Sequence, residues 1–171
     1  VPWHWPIAVY LTTKHIAGGV AGGLALMALA GAPASTAVIG TAGGLALLCI
    51  AITLGLLLYD LDRPDRFFFL LIRPQWRSWI ARAAWILSAF SGVFGSWWVL
   101  ELASGSLVDP ATVATLRPVF AVGILPLAWL TAAYTAFLFA QAEGRDLWQA
   151  GHMPAVLTAQ AVGLGATALA T

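Results

Sequence analysis

The sequence predicts an all-α membrane protein, an antiparallel transmembrane four-helix bundle plus the start of a fifth helix. Three observations lead there. Of the 171 residues, 61% are hydrophobic and only 9% are charged, where a soluble domain carries roughly 25% charged residues to cover its surface. Four long apolar segments, near 6–30, 36–59, 79–102 and 118–141, are each long enough to cross a hydrocarbon core of about 30 Å as a helix. The residue alternation of a membrane barrel strand is missing, and a helix satisfies its own backbone groups inside lipid. The nine tryptophans suit a chain with two membrane–water boundaries, where Trp collects.

The first segment carries two ionisable residues, Lys14 and His15, in the stretch YLTTKHIAGG. They lie eight to nine residues from Pro6, roughly 12–14 Å below the boundary. A charge at that depth costs about 2.5–3.5 kcal/mol on insertion scales, so such groups usually face a bundle interior or a wet cavity. His15 shares a helix face with Gly18 and Gly22, where a neighbouring helix is expected. Lys14 is one position round and can either join it or snorkel toward the boundary.

A tight turn, GAPAS (31–35), makes the first two segments antiparallel neighbours. Gly40 and Gly44 on the second, and Ser88, Gly92, Ser91 and Gly95 on the third, extend the small-xxx-small pattern that begins with Gly18, Gly19, Gly22 and Gly23. Such residues let helix backbones approach closely. Between the second and third segments, residues 60–78 mix charges with Phe67, Phe68, Phe69 and Trp76. This stretch is too short to span and is expected to lie along the interface. The third connection, 103–117, reads as a polar loop, and 142–154 as a short one.

Two domains follow: residues 1–144 as the bundle with its interfacial segment 60–78, and residues 145–171 as a connection and the start of a further transmembrane helix. The last apolar run is slightly short for a span, and the chain begins at Val1, so a piece of a longer protein is expected. Arg63, Arg66, Arg73, Arg77, Arg82 and Arg145 fall on one side and Arg117 alone on the other. The positive-inside rule puts the arginine-rich side and the N-terminus in the cytoplasm.

Several function classes drop out. Without a basic stripe, nucleic acid is not expected as a partner. Cys49 stands alone, so neither a disulfide nor a cysteine-bound metal is expected. Bis-histidine haem needs two histidines at one depth, whereas His4 and His152 belong at the boundary and His15 does not. Neither haem nor metal is therefore expected in this chain.

On the fourth segment, Tyr134 lies about 15 Å above the inner end, level with His15 if helices one and four are neighbours. Pro126 should open that helix one to two turns away and free a carbonyl. An imidazole and a phenol across an apolar cleft can donate to a quinone carbonyl or accept from a quinol hydroxyl, and His can take a proton near neutrality. The bland alternative is a His–Tyr hydrogen bond tying two helices. Asp60, with Arg63, at the inner end of the second segment offers a proton port, or merely a solvated ion-pair cluster. Glu101 at the outer end of the third offers a matching port, or merely a helix-end carboxylate.

The stretch YDLDRPDRFFFLLIRPQWRSWIARAAWIL (59–87) resembles the NrfD family, the polysulfide reductase-type integral membrane subunits of respiratory oxidoreductases. Its specific pattern is a helix ending in Tyr-Asp-Leu-x-Arg-Pro, an aromatic run, then Arg-Pro-x-Trp-Arg-Ser-Trp. WHWPIAVYL (3–11) and YTAFLFAQAEGRDLW (134–148) are similar to other parts of such chains. The resemblance implies two four-helix bundles, of which this chain covers the first, and a bacterial or archaeal cytoplasmic membrane. It implies quinone, menaquinone or ubiquinone, as bound substrate, with no prosthetic group of the subunit's own. It implies an iron–sulfur partner subunit that connects to a molybdopterin-type or other catalytic subunit. His15 and Tyr134 fall on the helices expected to line the quinone site, with Lys14 tuning its charge and Asp60, Arg63 and Glu101 serving proton movement. Two rivals remain open: a proton- or ion-translocating module without quinone chemistry, and a purely structural anchor.

Overall fold

The structure is a computed structural model that describes residues 5–59, 72, 73, 75–140 and 150–170. Five helices are present among them: α1 (Trp5–Leu29), α2 (Thr36–Tyr59), α3 (Trp79–Leu102), α4 (Pro110–Phe139) and α5 (Met153–Ala170). Four of these, α2 to α5, are long and apolar enough to cross a membrane. The protein is a multi-pass, all-α membrane protein, as its composition predicts.

The α1–α2 turn follows from its residues. Gly31 has φ +74°, a left-handed conformation that costs glycine nothing. There it closes α1 with paired bonds, Ala32 N to Met27 O at 3.1 Å and Gly31 N to Ala28 O at 3.3 Å, the Schellman pattern. Four residues on, the Ser35 hydroxyl accepts from Val38 N at 3.3 Å and starts α2.

One boundary differs from expectation. Residues 103–117 read as a polar loop, but α4 begins at Pro110. Asp109 caps it, accepting from Thr112 N at 3.2 Å, and Pro110 occupies the first turn, where a missing N–H costs nothing. Pro118 and Pro126 both lie inside the continuous helix.

α1 is the central helix. It packs against α2, α4 and α5, while α3 closes the ring between α2 and α4. Side-chain pairings give the directions. Tyr10, Lys14 and Gly18 of α1 meet Tyr134, Thr131 and Ala128 of α4 in descending order, so those two helices are antiparallel. Gly19 and Gly23 meet Ala161 and Leu169 of α5 in ascending order, so those two are parallel. The start of α1 therefore shares an end of the bundle with the end of α2, the start of α3, the end of α4 and the start of α5.

The small residues divide the work between faces. On α1, Gly18 lies under the Ala128 carbonyl of α4, where an added Cβ would sit 3.1 Å from the oxygen. Gly19, one position round, leaves no room for a Cβ against the Ala161 carbonyl and Gly165 of α5. On α2, Gly43 makes room for the Trp98 indole of α3, whose Nε1 donates to Ile39 O at 3.1 Å. On α3, a Cβ at Gly92 would meet nothing within 4 Å among the described residues. A ladder of Phe90, Phe94 and Trp97, with ring centroids 5.6 and 6.1 Å apart, fills the α3 side of the core.

Of the interfacial segment 60–78, residues 60–71 and 74 lie outside the described residues. Just past it, the Arg82 guanidinium stands 4.6 Å over the Trp79 ring, and Trp79 stacks on Phe137 of α4 at 4.9 Å.

Candidate functional site

Lys14 and His15 are both buried, at 0% and 2% exposure. Lys14 does not snorkel. Its stem turns toward α4, and Nζ donates to the main-chain carbonyls of Ala132 at 2.6 Å and Thr131 at 3.1 Å. A third contact, to His15 Nε2, is 3.1 Å long. A carbonyl has two lone pairs, so each oxygen can serve the helix and the lysine together. His15 Nε2 also lies 3.4 Å from Ala132 O, the loosest contact of the group.

Tyr134 is fully buried beside this pair, with Lys14 Nζ 5.0 Å from its ring centroid. Its hydroxyl is hydrogen-bonded to the hydroxyl of Tyr10, itself buried. Neighbouring helices one and four thus bring Lys14, His15 and Tyr134 to one level. Lys14 is the link between them: His15 bonds to Lys14 and the α4 backbone, and Tyr134 bonds to Tyr10, with the Thr135 hydroxyl beside both phenols.

Two apolar spaces lie near the cluster, one reaching Tyr10 and the other Ala132, and the side chains of Lys14, His15 and Tyr134 line neither. A slot of about 80 Å³ lies at the arginine-rich end, lined by Pro6, Ile7, Tyr10, Leu56 and Leu138 among others. A groove of about 470 Å³ runs between α1, α4 and α5, lined by Gly18, Gly22, Ala128, Ala132, Thr158 and Val162 among others. Small-molecule sites range over roughly 300–1,000 Å³, so the groove, not the slot, is of ligand size.

A family model described as polysulphide reductase, NrfD, matches residues 1–171. The chain belongs to the NrfD family. No curated protein and no solved structure matches it. Membership makes this NrfD chain a membrane subunit of a respiratory oxidoreductase, associated with other subunits of such a complex.

The other sequence candidates fall elsewhere. Asp60 and Arg63 lie outside the described residues, as do His4 and Arg145. Glu101 is buried at the far end of the bundle. Both its oxygens are held by Arg117 of α4, at 2.7 and 2.8 Å, and Trp97 Nε1 donates to it at 2.9 Å. From Arg117 to Thr131 is about 21 Å along α4. This bidentate geometry clasps α3 to α4. Among the described residues no group of three metal-ligating side chains forms.

Tyr10, Thr131 and Thr135 were not among the sequence candidates, yet spacing marks them. Tyr10 precedes Lys14 by four residues, and Thr131, Tyr134 and Thr135 stand three and four apart, so each set shares one helix face. The carbonyls that hold Lys14 leave no signal in the sequence, since every residue has one.

Proposed function

We propose that this NrfD chain is the quinone-reactive subunit of its complex, with Lys14, His15 and Tyr134 as the binding group. One observation carries the proposal. A lysine and a histidine are fully buried in an apolar bundle, hydrogen-bonded to main-chain carbonyls and to each other, near a ligand-sized groove that opens between helices. Intramembrane ionisable groups of this kind are functional by default, because their insertion is costly.

In this reading the quinone ring is taken up from the groove between α1, α4 and α5, with its chain along the Gly18–Gly22 face. His15 exchanges its long contact with Ala132 for a ligand oxygen. Lys14 supplies a donor and a positive potential where that oxygen gains electron density on reduction. Electrons pass to an iron–sulfur partner subunit and on to a molybdopterin-type or other catalytic subunit. The quinone is menaquinone or ubiquinone, the membrane is a bacterial or archaeal cytoplasmic membrane, and the arginine-rich end with the N-terminus faces the cytoplasm.

The test is quinol-coupled turnover of the whole complex with His15→Ala, assembly being checked by retention of the partners. Quinone-coupled activity is lost, while the soluble partners still turn over artificial dyes. Unchanged quinone-coupled activity removes His15 from the site and favours an anchoring role.

A further inference from the structure

At the arginine-rich end, the outer side of α3 carries an aromatic and basic cluster that the quinone reading does not use. Trp76 and Trp85 are 56% and 40% exposed, and their ring centroids are 5.9 Å apart. Trp85 lies six residues into α3, about 9 Å along its axis. The Gln75–Ser78 turn therefore folds back along the side of the bundle, and both rings sit where a membrane boundary collects tryptophan. Arg82 is pinned beside them. Its guanidinium stands 4.6 Å over the Trp79 ring, and its Nε donates to the main-chain carbonyl of Trp76 at 2.6 Å. Nη1 and Nη2, the outer edge of the fork, have no partner among the described residues.

We propose that Arg82, held on Trp79 and the Trp76 carbonyl, binds the phosphate headgroup of an anionic phospholipid in the leaflet at the arginine-rich end. The free edge of a guanidinium presents two parallel N–H donors, which match two phosphate oxygens. The cation–π contact and the Nε bond already hold the side chain in one place, so binding removes little further rotamer freedom. The ligand is thereby fixed at the level of the exposed Trp76–Trp85 pair, where a lipid headgroup lies, and not in the buried core.

Charge and shape both favour a lipid with a net negative headgroup. Arg73 and Arg77 are exposed nearby in sequence, and among the described residues the one salt bridge is the distant Arg117–Glu101 pair. Across residues 60–82 arginines outnumber aspartates five to three, so the segment stays positive even with every aspartate paired. Juxtamembrane basic clusters of this kind attract anionic lipids. Deeper on the same face of α3, past Trp85, come half-buried Ala89 and exposed Gly92. Gly92 is about 15 Å along the axis from Arg82, half of a core of about 30 Å. An acyl chain hanging from the Arg82 level thus runs against the Trp85 ring and over small residues, where a Cβ at Gly92 would meet nothing within 4 Å.

The experiment is native mass spectrometry of the assembled, delipidated complex, titrated with dioleoylphosphatidylglycerol or dioleoylphosphatidylcholine, for wild type, Arg82→Gln, Arg82→Lys and Arg73→Gln. Retention of the partner subunits checks assembly. Wild type takes up phosphatidylglycerol about fivefold more readily than phosphatidylcholine, the attraction of one arginine at a membrane surface. Arg82→Gln lowers phosphatidylglycerol uptake to the phosphatidylcholine level. Arg82→Lys keeps the charge and assembles even where Arg82→Gln does not, yet it retains only part of the preference, because an ammonium lacks the parallel fork. Arg73→Gln leaves the preference within about twofold of wild type, since an exposed charge away from the headgroup is screened. Equal uptake of the two lipids by wild type overturns the site, as does an undiminished preference in Arg82→Gln and Arg82→Lys. A loss in Arg73→Gln as large as in Arg82→Gln also overturns it, leaving only a diffuse basic field. Release of a partner subunit by Arg82→Gln with the lipid preference intact overturns it too, and gives this face to a protein.

Discussion

The side-chain nitrogen of Lys14 lies 2.6 Å from the main-chain carbonyl oxygen of Ala132, which fixes a basic group of α1 on the backbone of α4. Those carbonyls also belong to the α4 helix, so the lysine is not needed to satisfy them. Replacing a buried polar group by an apolar one of similar shape is often close to neutral for stability. Lys14→Met is therefore expected to assemble and to melt within a few degrees of wild type, while quinol-coupled turnover falls by about 10²-fold or more. Thermal melting of the purified complex and a turnover assay check the two halves separately. Equal loss of both makes Lys14 a structural residue.

Arg117 and Glu101 hold the opposite end. Arg117→Met leaves a carboxylate of 3% exposure without its counter-charge. Breaking a buried pair costs about 3–5 kcal/mol. Because the Arg117 side chain is 23% exposed, about 2 kcal/mol is expected here, read as a lower melting temperature. Glu101→Gln keeps the Trp97 contact, and the complex that assembles with it should turn over quinol at the wild-type rate. A kcat reduced tenfold in assembled Glu101→Gln would make Glu101 part of a proton path.

Gly19 and Gly165 set how closely α1 and α5 approach. A Cβ at Gly19 overlaps the Ala161 carbonyl oxygen, which is backbone and cannot swing aside. Gly19→Ala should cost about 1–3 kcal/mol, as overpacking does, and open the groove between α1, α4 and α5. Gly55, on the exposed face of α2, meets nothing within 4 Å. Gly55→Ala should be neutral or stabilise by up to about 1 kcal/mol through helix propensity. Comparing the two melting curves separates close packing from glycine content.

Tyr134→Phe removes a buried hydroxyl and takes from Tyr10 its phenol partner. A cost of about 1–3 kcal/mol is expected. Adding Tyr10→Phe removes both partners, so the double variant should be no less stable than Tyr134→Phe alone. A double variant that loses the sum of two independent costs would show that the phenols do not share their hydrogen bond.

Much of this was legible in residue order. Apolar runs of span length gave the helices, and Lys14 and His15 stood out because charge is rare in such runs. The level of Tyr134 followed from counting 1.5 Å per residue along antiparallel helices. What escaped was decided by contact. Lys14 could snorkel or turn inward, and two backbone carbonyls on α4 settled it. Tyr10 looks like an interfacial aromatic until α4 is placed beside it. Residues 110–117 look polar, yet Asp109 and Pro110 make them the first two turns of α4. The Gly18 and Gly19 faces both promised close packing, but no spacing says that one meets α4 and the other α5.

The central claim is that quinone binds at Lys14, His15 and Tyr134, and photolabelling tests it most directly. A photoreactive quinone analogue is bound to the assembled complex, illuminated, and the labelled peptides are mapped. Label is expected on α1 around residues 14–22 and on α4 around residues 128–134, competed by excess natural quinone and lost in His15→Ala. Label that maps outside α1 and α4, or that persists undiminished in His15→Ala, contradicts the site.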